Sequence, residues 1–172
     1  MQRDSDQISI PKSVTKIQVS IIVKNARKAA QNFTRIFGVG PWVEEIYEGI
    51  EAELRGRPTN YKIVAFSADL GPLEIELQEV LEGESLYKEF YEKHGEGVHH
   101  IGLYVKNAEK EIEKWQSHGI KVLQKSRLRQ PPYPPDGIYA YMDTEPLVGV
   151  LLELAYPPPP GLVLGPKEDA RR

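Results

Sequence analysis

Four side chains of metal-ligand type recur at matched spacings in this chain. Gln18 and His100 are 82 residues apart, and Glu76 and Glu153 are 77 apart. One imidazole and three oxygen donors suit one hard or borderline divalent ion: Zn, Ni, Co, Mn or Mg. Such an ion polarises a carbonyl and holds the oxyanion of an enolate. A carboxylate beside it can then move a proton α to that carbonyl, a transfer otherwise unfavourable at neutral pH. The 172 residues include no cysteine, which excludes thiol nucleophiles, Cys-ligated zinc, iron–sulfur clusters and disulfides.

These residues need strands to aim them. Residues 16–24 (KIQVSIIVK) are β-rich, and 25–37 are helical, with Ala26, Ala29, Ala30, Phe33, Ile36 and Phe37 on one apolar stripe. Asn25 is the N-cap and Gly38 the stop. Strand-like runs follow at 41–48, 60–68 and 72–80, then a short helix at 84–94. The order then repeats: a strand at 97–106, a helix at 107–118 and strands near 121–128, 137–143 and 149–156. The word VKNA stands at 23–26 and again at 105–108, each time where a strand runs into an Asn-capped helix. This is an internal duplication of a βαβββ unit.

Period-2 alternation sorts the faces. Ile17, Val19, Ile21 and Val23 oppose Gln18, Ser20 and Ile22; Leu73, Ile75 and Leu77 oppose Glu74, Glu76 and Gln78. Ile101, Leu103 and Val105 oppose His100, Gly102 and Tyr104; Val150, Leu152 and Leu154 oppose Leu151, Glu153 and Ala155. Each strand thus has an apolar face to pack under a helix, and each opposite face carries a metal-competent side chain: Gln18, Glu76, His100 and Glu153. A solvated sheet face also carries polar residues, but there Lys, Thr and Ser dominate. Here Gly102, Ala155, Leu151 and Ile22 surround the candidates, which points to a cupped interior. The fold class is α+β, with two tandem βαβββ modules forming a cupped, mostly antiparallel sheet around a central metal site.

The limits of this domain follow from composition. Residues 1–14 show no periodicity and read as an N-terminal extension. The domain spans 15–156: module one about 15–80, a linker helix about 84–94, and module two about 97–156. Residues 157–172 open with four prolines and read as a Pro-rich tail; PPYPP at 131–135 marks a loop. Hydrophobic residues make up 40% and the net charge is -3, enough to build a core and a poor basis for binding nucleic acid. The longest apolar stretch, 147–152, is far too short to span a bilayer. The first residues (MQRDSDQ) carry no apolar run, so no secretory signal and no membrane are expected, and a cytoplasmic protein is.

The duplicated unit resembles the vicinal oxygen chelate superfamily, which includes glyoxalase I, methylmalonyl-CoA epimerase, extradiol dioxygenases and bleomycin-resistance proteins. HGEGVHHIGLYV at 94–105, LEIELQEV at 73–80 and GVLLELAYPP at 149–158 are most similar to the methylmalonyl-CoA epimerases. The resemblance implies metal ligands at Gln18, Glu76, His100 and Glu153, a homodimer, and a small carbonyl or acyl-thioester substrate. Gln18 stands where the epimerases have histidine, although some glyoxalase I enzymes use a Gln, Glu, His, Glu set in this order. Where the epimerases carry a glutamate as one of two proton-transfer bases, this chain has Thr59 or Asn60.

The implied function is a metal-dependent epimerase or racemase with Glu153 as the base. The alternatives are a glyoxalase I-like lyase acting on a thiol hemithioacetal, and a non-catalytic binder of the bleomycin-resistance type. Tyr61, Tyr104, Tyr139 and Tyr141 are candidates to line the cavity, the first two and Tyr141 foremost for substrate binding. His99, next to the proposed ligand, is expected on the opposite face in a structural role. His94 and His118 fit helix ends, Arg55 and Arg57 fall in a loop, and Trp42 is either a lid or a core residue.

Overall fold

The computed structural model describes residues 14–128 and 133–157. The outer parts of the N-terminal extension and tail, and part of the PPYPP loop, lie outside the described residues. Ten strands form one curled, mostly antiparallel sheet in the order β2-β5-β6-β1-β7-β10-β9-β8-β3-β4. The strands are β1 (Lys16–Ile22), β2 (Trp42–Glu48), β3 (Ile50–Leu54), β4 (Arg57–Pro58), β5 (Tyr61–Asp69), β6 (Leu73–Gly83), β7 (Gly97–Tyr104), β8 (Val122–Arg127), β9 (Ile138–Met142) and β10 (Leu151–Tyr156). The helices are α1 (Ala26–Phe37), α2 (Leu86–His94), α3 (Ala108–Ser117) and a short α4 (Glu145–Val148).

The two expected units are present and meet where β1 pairs antiparallel with β7. β1 pairs parallel with β6 in the first unit, as β7 does with β10 in the second. The repeated VKNA word acts the same way twice. Asn25 Oδ1 accepts from the Lys28 amide at 2.7 Å, and Asn107 Oδ1 from the Lys110 amide at 2.9 Å. Each helix is therefore capped where its strand ends. α1 stops at Gly38, whose left-handed φ of 69° closes the last carbonyls.

The apolar strand faces pack outward under the helices in two matched cores. Ala26, Ala30 and Phe33 of α1 sit on Phe66, Ile75 and Leu77. Ile112 and Trp115 of α3 sit on Leu103, Ala140, Met142 and Leu154. Leu154 is fully buried, so truncating it to alanine should cost ~2–5 kcal/mol. A third core fills the inside of the curl and is built largely of tyrosines, with Ile22, Ile63 and Leu151.

Two expectations need correction, and the alternative left open at Trp42 is decided. Ile36 and Phe37 are 56% and 69% exposed, because the stripe of α1 continues past the part seated on the sheet. Arg55 and Arg57 belong to a hairpin rather than an unstructured loop. β3 and β4 form it, and β3 leaves β2 to pair with β8 of the other unit. Trp42 is no lid: its ring meets Phe33 edge-on and its Nε1 donates to Thr34 Oγ1 at 2.9 Å, between α1 and β2. His94 ends α2 against Phe90, and His118 caps α3 with Nδ1 against the Lys114 carbonyl, as helix-end histidines do.

Candidate metal centre and cavity

Four central strands set the residues of the concave face in two rows. Along one row the pairing runs Glu74, Gln18, Gly102, Glu153; along the next it runs Glu76, Ser20, His100, Leu151. The pseudo-twofold between β1 and β7 exchanges Gln18 with His100 and Glu76 with Glu153. The sequence spacings of 82 and 77 are thus a spatial equivalence.

Three of the four expected residues converge. His100 Nε2 lies 3.1 Å from Gln18 Oε1 and 3.3 Å from Glu153 Oε2. Gly102 stands between them: a Cβ there would come within 2.8 Å of Gln18 Oε1 and 2.9 Å of Glu153 Oε2. The space is open because the residue has no side chain. Glu76, two strands from His100 in the same row, lines the same cavity, and its carboxyl interacts electrostatically with Glu74 and Glu153. Among the described residues no three His, Cys, Asp or Glu side chains converge; the amide oxygen of Gln18 makes the third donor.

This donor set fits a divalent cation. Ligand bonds of ~2.0–2.2 Å at ordinary coordination angles set neighbouring donors ~3.0–3.5 Å apart, the spacing seen here. Burial, followed by Glu74 and Glu153, pushes the Glu76 carboxyl well above its ordinary 4.5, and burial raises Glu74 as well. Beside them Glu74 Oε2, Ser20 Oγ and Gln78 Oε1 are buried without hydrogen-bond partners. Two neighbouring carboxyls whose charge burial disfavours, Glu74 and Glu76, are costly unless protonated or joined by a cation.

The amide of Gln18 is held in one orientation. Its Nε2 donates to Glu74 Oε1 at 3.1 Å and to the Tyr104 hydroxyl at 2.8 Å, so Oε1 is the atom turned to His100.

The cavity beyond these residues is walled by Tyr47, Tyr87, Tyr104, Tyr133, Tyr139 and Tyr141. The Tyr87 and Tyr141 hydroxyls share a hydrogen bond at 2.7 Å, and those of Tyr47 and Tyr133 lie 3.0 Å apart. Burial raises the pKa of all six, so these phenols stay neutral donors at physiological pH. Of the expected tyrosines, Tyr104, Tyr139 and Tyr141 line the cavity. Tyr61 lies behind it, hydrogen-bonded to Tyr139 and packed on Tyr87, with burial pushing its pKa up to about 12.

Several residues here were not singled out from the sequence. Glu45 on β2 accepts from the Tyr47 and Tyr133 hydroxyls at 2.7 and 3.0 Å, at the edge of the cavity. Glu45 and Tyr47 share a strand face, so alternation in β2 could have found them. Thr59 and Asn60, by contrast, lie in the turn between β4 and β5, where Thr59 Oγ1 donates to the Glu84 carbonyl. His99 does not point away from the site. Ser20 pairs with His100 but Ile21 with Val98, so His99 is the extra residue of a β-bulge. Its ring lies against Tyr87, Phe90, Tyr141 and His100. Arg55 forms an ion pair with Glu89 at 2.6 Å on the surface.

A search of curated sequences gives no match. Among solved structures, methylmalonyl-CoA epimerase from Mycobacterium tuberculosis is similar with TM-score 0.64 and 19% identity, over 90% of this chain and 95% of that one. A hypothetical protein from Bacillus halodurans C-125 follows at TM-score 0.57 and 22% identity, over 80% and 90%. A Streptomyces coelicolor methylmalonyl-CoA epimerase variant in complex with 2-nitronate-propionyl-CoA gives TM-score 0.56 and 19% identity, over 83% and 97%. At such identities the likeness is one of fold. No helix among the described residues is long and apolar enough to cross a membrane. The family model of the glyoxalase/bleomycin resistance protein/dioxygenase superfamily matches residues 17–137, most of the chain and three of the four candidate ligands, and the chain belongs to that superfamily.

Proposed function

We propose that this chain is a metal-dependent isomerase that moves a proton α to a carbonyl or thioester, an epimerase or racemase of the methylmalonyl-CoA epimerase type. The observation that carries this reading is the meeting of Gln18 Oε1, His100 Nε2 and Glu153 Oε2 beside a cavity lined by phenols. Gln18 and Glu153 from one row, with His100 and Glu76 from the next, would hold one divalent ion. Bound there, the ion supplies Lewis acidity that stabilises negative charge developing on a carbonyl oxygen.

The chain's own residues do the rest. Glu153, on β10, takes the α proton, being a carboxylate at the cavity wall that is only 6% exposed. An epimerase needs a second proton carrier for the other face of the substrate. Glu45 fills that role on β2, five places along the sheet from β10. It reaches the cavity through the hydroxyls of Tyr47 and Tyr133. Tyr104 and Tyr141 orient the substrate as neutral donors, and the tyrosine walls exclude water. A homodimer and a cytoplasmic location belong to the same reading.

One observation favours a second reading, a glyoxalase I-like lyase. Among the described residues the cavity lining includes no Lys or Arg, so a substrate carboxylate finds no cationic side chain there. An uncharged carbon acid such as a thiol hemithioacetal suits that lining. Both readings are tested on Glu153→Gln, which keeps shape and an oxygen donor but removes basicity. Metal content should be unchanged while turnover falls by ~10²–10⁴-fold. With methylmalonyl-CoA in D₂O the recovered thioester should carry deuterium at the α carbon, essentially completely for an epimerase. Partial exchange on a hemithioacetal would identify the lyase. A wild-type protein that binds either compound and turns over neither is a binder, and the reading fails.

A further inference from the structure

The cavity is walled by more aromatic rings than a proton transfer uses. Tyr47, Tyr87, Tyr133, Tyr139 and Tyr141 line it, and among the described residues no Lys or Arg does. These rings do not stack. Tyr87 meets Tyr141 at 89°, Tyr139 meets Tyr141 at 69° and Tyr47 meets Tyr133 at 44°, with centroids 5.6, 5.9 and 6.4 Å apart. Stacked rings would cover one another's faces, whereas inclined rings enclose a space as walls do. An aromatic face is the negative side of the ring quadrupole, so a box of such rings attracts a positive group.

Two further observations strengthen that sign. Glu45 accepts from the Tyr47 hydroxyl at 2.7 Å and from the Tyr133 hydroxyl at 3.0 Å. A phenol that donates to a carboxylate is polarised by it, which makes its ring more electron-rich. With their protons committed to Glu45, Tyr47 and Tyr133 offer a ligand their rings. Gln78 adds an acceptor. It lines the same cavity and is 3% exposed, and its Oε1 is buried without a hydrogen-bond partner. An orphaned buried acceptor is costly, and a positive ligand relieves that cost. Glu45, Tyr47, Tyr133 and Gln78 lie outside the set Gln18, Glu76, His100 and Glu153, so an ion held by those four leaves this second demand unmet. An anion would be repelled here, and an uncharged group would gain only its apolar burial.

We propose that this cavity binds an organic cation, a methylated ammonium group seated against the rings of Tyr47 and Tyr133 and the side-chain oxygen of Gln78. The claim needs neither an ion at His100 nor a proton transfer, and so stands apart from the isomerase reading. The probes are choline and its uncharged carbon isostere 3,3-dimethylbutan-1-ol, which share a shape and differ in charge. Each is titrated calorimetrically into the full-length protein. Choline should bind ~10-fold or more tightly than the isostere. Equal affinities, or no saturable binding of choline, would overturn the proposal. Tyr133→Leu should remove most of the preference for choline, while Tyr133→Phe, which keeps the ring but not the bond to Glu45, should remove less. Gln78→Leu should weaken choline and leave the isostere unaffected. A preference that survives both Tyr133→Leu and Gln78→Leu would also overturn it. His100→Ala, which takes away a proposed metal ligand, should leave choline affinity as it was. Loss of choline binding in that variant would put the cation at the ion's position and refute the aromatic site.

Discussion

Gln18 and His100 occupy equivalent positions about the pseudo-twofold, and their side chains meet across it, Oε1 to Nε2, at 3.1 Å. A duplicated unit placed face to face with itself brings equivalent residues together at the axis. The site is therefore a property of the junction between β1 and β7. Neither unit can make it alone. Substitution at this contact should act on the metal before it acts on the fold. His100→Ala should abolish stoichiometric binding of zinc, read by elemental analysis after gel filtration. Full occupancy in that variant would remove His100 from the ligand set.

Gly102 makes the same point through space. A methyl group there would lie 2.8 Å from Gln18 Oε1 and 2.9 Å from Glu153 Oε2, closer than such atoms sit. Gly102→Ala should destabilise the fold by ~1–3 kcal/mol, the usual cost of overpacking. It should also push the two oxygens apart and weaken zinc binding more than an alanine elsewhere on β7. Unchanged affinity would mean that the two oxygens do not share an ion.

Stability should depend on pH in a direction set by Glu76. Its carboxyl is raised well above 4.5 by burial, then by Glu74 and Glu153, so the folded metal-free protein prefers it protonated. Its contribution is full below the unfolded value and is lost as pH rises through the folded one. Urea midpoints of the metal-free protein should therefore fall as pH rises above the ordinary carboxylate range, less steeply in Glu76→Gln. Saturating zinc should restore the loss, because a bound cation replaces the proton. A wild-type slope no steeper than that of Glu76→Gln would count against this account.

How far the sequence carries the fold is visible in particular residues. The inward row of β1, β6, β7 and β10 was legible because each strand pairs one polar position with a strongly apolar opposite face. Asn25 and Asn107 were legible because capping is local. What escaped depends on partners distant in the chain. The bulge that turns His99 inward exists only in the register of β7 against β1. β3 was missed because its partner is β8, where the Ile50 amide meets Ser126 Oγ at 3.1 Å. Ile36 and Phe37 continue a perfect stripe, but nothing in the stripe says how much of a helix the sheet beneath it will cover.

The same dependence on distant pairing bears on the second proton carrier. The resemblance put Thr59 or Asn60 where the epimerases carry their second glutamate and left no carrier in view, but Glu45 offers a carboxyl to two of the cavity's phenols, Tyr47 and Tyr133. Tyr133 Oη, from the loop between β8 and β9, lies 3.0 Å from both of its carboxylate oxygens. The contact joins β2, one end of the sheet, to the loop that follows β8 near the other. Glu45→Gln keeps an acceptor for both phenols, so the fold and zinc affinity should be unchanged. If Glu45 delivers a proton on the face opposite Glu153, epimerisation should fall by ~10²–10⁴-fold. Exchange of the α proton of one enantiomer with D₂O, which Glu153 catalyses alone, should persist. Tyr133→Phe leaves the carboxylate in place but loosens it, so it should reduce turnover by less. Equal loss of exchange from both enantiomers in Glu45→Gln would show that Glu45 serves no single face, and the two-carboxylate mechanism would fall.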